Sequence, residues 1–203
     1  MKVLGLELSS PEGSIAWCES GEELRSVRFP NDRKNSGLFF ESLQECLKRF
    51  GNPDRIVVGL GPGSYAGTRI AIATAMGLSA ASGAQLIGVA SLCAMEIEAN
   101  PYAVIGDARR QSYFFARVSD RRCVDGPHLY AESELLARLR EIHCPVLTTE
   151  SLPLVPSALI AQPSALILTQ CATEMEAAAQ PLQPIYLREP HITYPKADRK
   201  SVV

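Results

Sequence analysis

Apolar residues dominate the opening of the chain. Val3, Leu4, Leu6 and Leu8 leave little polar surface on either side of residues 2–9, the pattern of a strand buried on both faces. Two shorter strands are predicted at 13–19 and 23–29, with Glu19, Ser20, Gly21 and Glu22 as the hairpin turn between them. The period then lengthens. Phe39, Leu43, Cys46, Leu47 and Phe50 recur at helical spacing, and Glu45 with Arg49 forms a four-apart charge pair. Asn35 or Ser36 caps this helix, Gly51 ends it and Pro53 blocks its continuation. Leu38 and Phe40 fall off its apolar stripe and are expected to stay uncovered.

A fourth strand at 54–60 runs into Gly61-Pro62-Gly63-Ser64-Tyr65-Ala66-Gly67, and a second helix is predicted at 68–82, stopped by Gly83. That helix is built from Ala71, Ala73, Ala75, Gly77, Ala80 and Ala81, with bulk only at Ile70, Ile72, Met76 and Leu78, so another backbone can come close to it. A strand at 85–89 and a short helix from Ser91 to Glu98 complete the first half. Asn100-Pro101 marks a boundary, giving lobes at 1–99 and 100–203. The second lobe opens with a hairpin: 102–106, a turn at Asp107 to Arg110, then 112–119. Beyond it the pattern predicts a helix near 133–142, a strand at 145–149, a Pro-punctuated stretch from Pro153 to Pro163, and an Ala-rich helix near 169–179. Residues from His191 onward read as a mobile polar tail.

Composition narrows the function. The chain has 203 residues, 46% of them hydrophobic, enough for one compact domain or two small lobes. Aromatic content is 6%, so the core must rest on aliphatic side chains. A net charge of −2 and a pI near 6.0 argue against independent binding of nucleic acid, which needs a basic surplus to neutralise phosphates. The basic clusters at Arg109-Arg110, Arg121-Arg122 and Lys196 to Lys200 are short and read as solvated turns and tail. The six cysteines form no Cys-x-x-Cys pair, and the three histidines are scattered, so no metal site is expected. Neither a signal peptide nor a membrane span is predicted, which points to a cytoplasmic protein.

The stretch from Gly59 to Gly67 invites an anion, because a strand, a Gly-rich turn and a helix N-terminus present backbone N–H groups and a favourable dipole. Gly61, Gly63 and Ser64, with Arg109 from the second lobe, are the positions a phosphate would use. The known fingerprints nevertheless fail. Thr68-Arg69 follows Gly67 where a P-loop needs Lys, and Ala66 stands at the last glycine of the dinucleotide pattern. No Asp and His accompany Ser64 as a triad. Without a ligand, these glycines serve a tight turn and close helix–sheet packing.

Four stretches acquire meaning together: Val3 to Ser10, Val58 to Ile70, Asp107 to Arg110, and Pro184-Ile185-Tyr186-Leu187-Arg188. In this order they resemble the bacterial TsaB/YeaZ family across nearly the whole chain, Gly-Pro-Gly-Ser-aromatic-x-Gly-x-Arg-Ile being the specific part. The resemblance implies an α/β fold of the actin, Hsp70 and sugar-kinase type (ASKHA), two small lobes each with a mixed sheet flanked by helices. It also implies a non-catalytic scaffold for a TsaD-type transferase that threonylcarbamoylates the adenosine next to the tRNA anticodon. A TsaE-type ATPase joins the larger assembly, and tRNA is reached only indirectly. The partner surface, which also serves a possible homodimer, is expected at Leu38, Phe39, Leu43, Ile70, Thr74, Gly77 and Leu78. No catalytic residue and no cofactor are expected. The His-x-x-x-His of catalytic relatives is missing, Glu7 stands where the family has Asp, and Asn35-Ser36 replaces a His-Ser pair. After Gly126 there is no glycine to let backbone approach a flat base. The competing reading is a nucleotide-binding ATPase or phosphotransferase of the same fold, and a peptidase is the remote one.

Overall fold

The computed structural model describes residues 1–31, 36–172, 175–178 and 181–188. Among them lie ten strands and four α-helices in two five-stranded sheets. The first sheet holds β1 (Lys2–Glu7), β2 (Glu12–Glu19), β3 (Glu22–Pro30), β4 (Arg55–Gly59) and β5 (Gln85–Val89) in the order β3-β2-β1-β4-β5. Its first three strands are antiparallel, and β4 and β5 run parallel to β1. The second sheet repeats this plan with β6 (Tyr102–Asp107), β7 (Ser112–Ser119), β8 (Arg122–Ala131), β9 (Val146–Thr148) and β10 (Leu159–Ile160), ordered β10-β9-β6-β7-β8. Again the first three strands are antiparallel and the others parallel.

Side-chain alternation in β1 explains how the first sheet is covered. Leu4, Leu6 and Leu8 point to one face, where α1 (Gly37–Phe50) and α2 (Tyr65–Ser82) contribute Phe39, Leu43, Cys46, Ala71, Ile72 and Ala75 to a common core. Val3 points the other way, into a second core that joins both lobes. That core takes Val57 and Ile87 from the first sheet, and Tyr102, Val104 and Val118 from the second. Between them sit the 3-10 turn Ser91–Ala94 and α4 (Ala165–Cys171). A third cluster packs α3 (Glu132–Arg140) through Leu135 onto Ala103, Ile105 and Phe115. Helix α4 lies late in the chain yet rests on β1, β2 and β4. Gly5 permits this approach, since a Cβ there would stand 2.4 Å from the Ala165 carbonyl oxygen.

Several elements differ from the sequence reading. Strand β8 is absent from it because Gly126-Pro127 interrupts the pattern. The structure accommodates Pro127 because β8 is an edge strand with a register shift opposite Phe115 to Arg117. The short strand β10 was likewise not anticipated. Helix α2 begins at Tyr65 instead of Thr68, because the Ser64 side chain accepts from the Gly67 amide and caps it. The helix expected from Ser91 to Glu98 is only a four-residue 3-10 turn. Among the described residues the last helix is α4, which begins at Ala165 instead of near Thr169; Ala178 in the Ala-rich run donates its amide to Leu86 O of β5. The Asn35 cap, the basic Lys196 to Lys200 stretch and the tail from His191 lie outside the described residues.

Substituting Gly5→Ala should therefore destabilise the protein by about 1–3 kcal/mol, the range for overpacking, because β1 and α4 must separate. Urea unfolding monitored by circular dichroism checks this; an unchanged midpoint would mean the α4 contact is not tight.

Candidate functional site

Two regions compete for the function: the cleft between the lobes and the outer face of α1 and α2. The cleft has a volume of about 450 Å³, within the usual ligand range, and is lined by Ser9, Asn31, Gly63, Ser64, Asp107 and Arg109 among others. Gly61, Gly63, Ser64 and Arg109 thus meet at or beside one cavity, as an anion site would require.

Several of their donors are already engaged. The amides of Leu60, Gly61 and Ser64 donate to Val89 O, Ser91 Oγ and Ser9 O, at 2.8, 3.0 and 2.6 Å. The amides of Gly67 and Thr68 donate to Ser64. Glycines in this loop allow contact with the end of β1 rather than with a ligand: a Cβ on Gly63 would lie 2.1 Å from Ser9 O, and one on Gly67 equally close to Leu8 O. Across the cleft, Arg109 is held by Asp107, whose carboxylate accepts the Arg109 amide at 2.6 Å and pairs with its guanidinium at 3.1 Å.

Glu7, at the end of β1, is fully buried behind the loop. Its Oε1 accepts the Ser9 amide at 2.6 Å, while Oε2 has no hydrogen bond of proper geometry, although the Ser91 hydroxyl lies near. Desolvation raises its pKa above the ordinary 4.5, against the lowering pull of Ser9 and Ser91. A carboxyl in this position is poorly placed to carry a permanent negative charge into the cleft.

A second cavity, about 630 Å³, is lined by Cys93, Cys123 and Cys171. Burial raises all three thiols, Cys93 to about 12, so they are neutral at physiological pH and poor nucleophiles. Among the described residues, no group of three His, Cys, Asp or Glu side chains is arranged to hold a metal ion. None of the described helices is long and apolar enough to cross a membrane.

The outer face of α1 and α2 is different in kind. Leu38 and Phe40 are 40% and 47% exposed, and Met76 and Gly77 are exposed on α2. Gly77 has no atom within 4 Å of where a Cβ would stand. Ile70, Thr74 and Leu78 are half-buried at its margin, whereas Phe39 and Leu43 are 1% and 5% exposed. These last two belong to the inward stripe with Cys46 and support the face from beneath. Sequence reasoning passed over Tyr65, Arg69 and Tyr186, which cluster at the N-terminal end of α2. The available signal was that Arg69 is the sole charged residue in that helix.

Two repeats of a sheet with three antiparallel and two parallel strands, opposed across a cleft, define a two-lobed α/β protein of the actin, Hsp70 and sugar-kinase type. A family model for TsaD, the tRNA N6-adenosine threonylcarbamoyltransferase, matches residues 36–129. The uncharacterized protein Rv3421c of Mycobacterium tuberculosis is 31% identical over 156 residues, 73% of this chain and 71% of that protein. The uncharacterized protein ML0378 of Mycobacterium leprae is 39% identical over 75 residues, 36% of this chain but only 21% of its own length. Solved structures of YeaZ and of a protein similar to peptidase YeaZ, both from Pseudomonas aeruginosa, superpose with TM-scores of 0.68 and 0.75. Each is 23% identical and is matched over 92% of this chain and 99% of its own. The chain belongs to one family with the mycobacterial protein Rv3421c, and it shares the fold of the two Pseudomonas aeruginosa structures.

The buried Glu7 makes stability depend on pH. The folded chain keeps the Glu7 proton in an interval where the unfolded chain, titrating near 4.5, has lost it, so stability falls as pH rises through that interval. Glu7→Gln should abolish this contribution: the variant should equal the wild type below about pH 4 and exceed it near neutrality. Thermal unfolding from acid to neutral pH measures both curves, and parallel curves would mean that Glu7 is not the titrating group.

Proposed function

We propose that this protein is a non-catalytic partner subunit of a TsaD-type transferase in the threonylcarbamoylation of the adenosine next to the tRNA anticodon. Its task is to present the α1–α2 face to that transferase, with a TsaE-type ATPase in the larger assembly and tRNA reached through the partner. The observations that carry this reading are the open, small-residue surface around Gly77 on α2 and the exposed Leu38 and Phe40 on α1, which covers the same sheet face. Exposed apolar clusters of this kind mark protein contacts, and small residues on α2 allow a partner helix close approach. The cleft supports the same reading from the opposite side. The amides of Leu60, Gly61, Ser64, Gly67 and Thr68 are bonded within the protein and Arg109 is paired with Asp107, which leaves a nucleotide phosphate fewer donors in the cleft.

Gly77→Arg should abolish capture of the purified transferase, because the new side chain enters the contact and meets nothing in its own chain. The variant's circular dichroism should match the wild type's apart from a small glycine-dependent gain in helix stability. Retained binding would refute the assigned face.

The volume of the cleft favours one second reading, a nucleotide-dependent ATPase or phosphotransferase. Calorimetric titration of the isolated chain with ATP decides between them: the partner-subunit reading expects no micromolar binding and no turnover, and either result would replace it with the second.

A further inference from the structure

The cluster at the N-terminal end of α2 gives the proposed contact a chemical specificity. Arg69 is exposed and its Nη1 donates to the Tyr65 hydroxyl at 2.7 Å and reaches within 3.5 Å of the Tyr186 hydroxyl. Its guanidinium also lies over the Tyr65 ring, 5.1 Å from the centroid, and the two tyrosine rings stand 5.5 Å apart. Tyr65 and Tyr186 are themselves 53% and 42% exposed. Tyr186 is brought there by the Pro184-Ile185-Tyr186-Leu187-Arg188 motif, which is fixed at two points. Ile185 N donates to Leu60 O at 2.8 Å, and Arg188 Nη2 donates to Ser112 Oγ at 2.6 Å in the other lobe.

This arrangement orients a cation without neutralising it. Among the described residues, Arg69 bonds only to hydroxyls and pairs with no carboxylate. Its Nε and Nη2 are not used in these bonds, and together they form an edge suited to a bidentate carboxylate. Along α2 the next residues at helical spacing, Ala73, Gly77 and Ala80, are exposed and small, so the cation continues the open stripe. Two tyrosines holding one guanidinium also lower the ordering cost that a free arginine would incur on binding.

We infer that Arg69, held by Tyr65 and Tyr186, is the ion-pair anchor of the α1–α2 face and donates to an aspartate or glutamate on the transferase partner. This rests on the partner-subunit reading and adds the chemistry of the partner surface: apolar, close-packed, with one carboxylate opposite Arg69. A second copy fits less well. The α2 stripe contains no acid, so α2 against α2 offers Arg69 an uncharged or like-charged surface. Only Glu41 and Glu45 on α1 offer a carboxylate there, and Glu45 is paired with Arg25. Arg69 is the one charged residue of α2, and a single guanidinium on that helix in a chain of net charge −2 is a poor footprint for RNA.

The test is calorimetric titration of the purified transferase with wild-type chain and with Arg69→Gln, Arg69→Lys, Tyr186→Phe and Gly77→Arg, each at low and high salt. Arg69→Gln should weaken binding by about tenfold or more and flatten its salt dependence, since a charge-assisted contact is lost. Arg69→Lys should recover the salt dependence but only part of the affinity, and Tyr186→Phe should cost a few-fold. If Arg69→Gln binds with wild-type affinity and salt dependence while Gly77→Arg fails to bind, the anchor is refuted and the partner-subunit reading survives. If both variants bind normally, the anchor and the assigned α1–α2 face both fall while the partnership itself stands; if the wild-type chain does not bind, the partner-subunit reading falls with them. The anchor is equally overturned if Arg69→Gln and Glu41→Gln weaken only self-association in sedimentation. The same holds if Arg69→Gln weakens only tRNA retention by an otherwise intact assembly.

Discussion

The contact between the Gly-rich loop and the end of β1 governs much of the rest of the molecule. Gly63 and Gly67 bring the start of α2 against the carbonyls of Ser9 and Leu8, and the Ser64 amide bonds to Ser9 O at 2.6 Å. No residue with a Cβ can occupy these two positions without moving the helix from the strand. The same contact that sets the origin of α2 takes up the Ser64 amide of the loop. The contact thus fixes the position of α2, whose outer face leaves Ala73, Gly77 and Ala80 exposed.

A second constraint joins the lobes. Proteins of this architecture have sheets on either side of a cleft, and here α4 and the Ser91–Ala94 turn fill the space beneath that cleft with a shared apolar core. The C-terminal segment adds a strap across the opening, from Leu60 in one lobe to Ser112 in the other. Burial of this kind opposes lobe separation, because opening would return Val57, Ile87, Tyr102 and Leu168 to water. A body so closed suits the presentation of a fixed surface better than a cycle of closure around a ligand.

Much of this was legible in the chain. Strand and helix periods in the first hundred residues locate β1 to β5 and both flanking helices to within a few residues, because each element is long, strongly patterned and bounded by Gly, Pro or Ser. Legibility declines in the second half. Strand β8 is interrupted by Gly126-Pro127 and is tolerated only as an edge, while β10 has two residues and takes its conformation from pairing with β9. The Ala-rich run after α4 has helical propensity but bonds instead to the edge of β5, a case of tertiary contact overriding local preference.

The amino-acid order by itself determined the sheet-and-helix plan of the first lobe, the failure of the phosphate fingerprints, and the exposed position of Leu38 and Phe40. Each of these follows from local period or from the identity of residues close in sequence. Only the tertiary structure decided that α4 returns to the first sheet, that Glu7 lies in a dry site beside Ser91, and that Tyr186 meets Arg69 across 117 positions of chain. Those outcomes depend on which surfaces are brought together when both sheets bury their apolar faces, and no pattern of neighbours along a chain encodes that pairing.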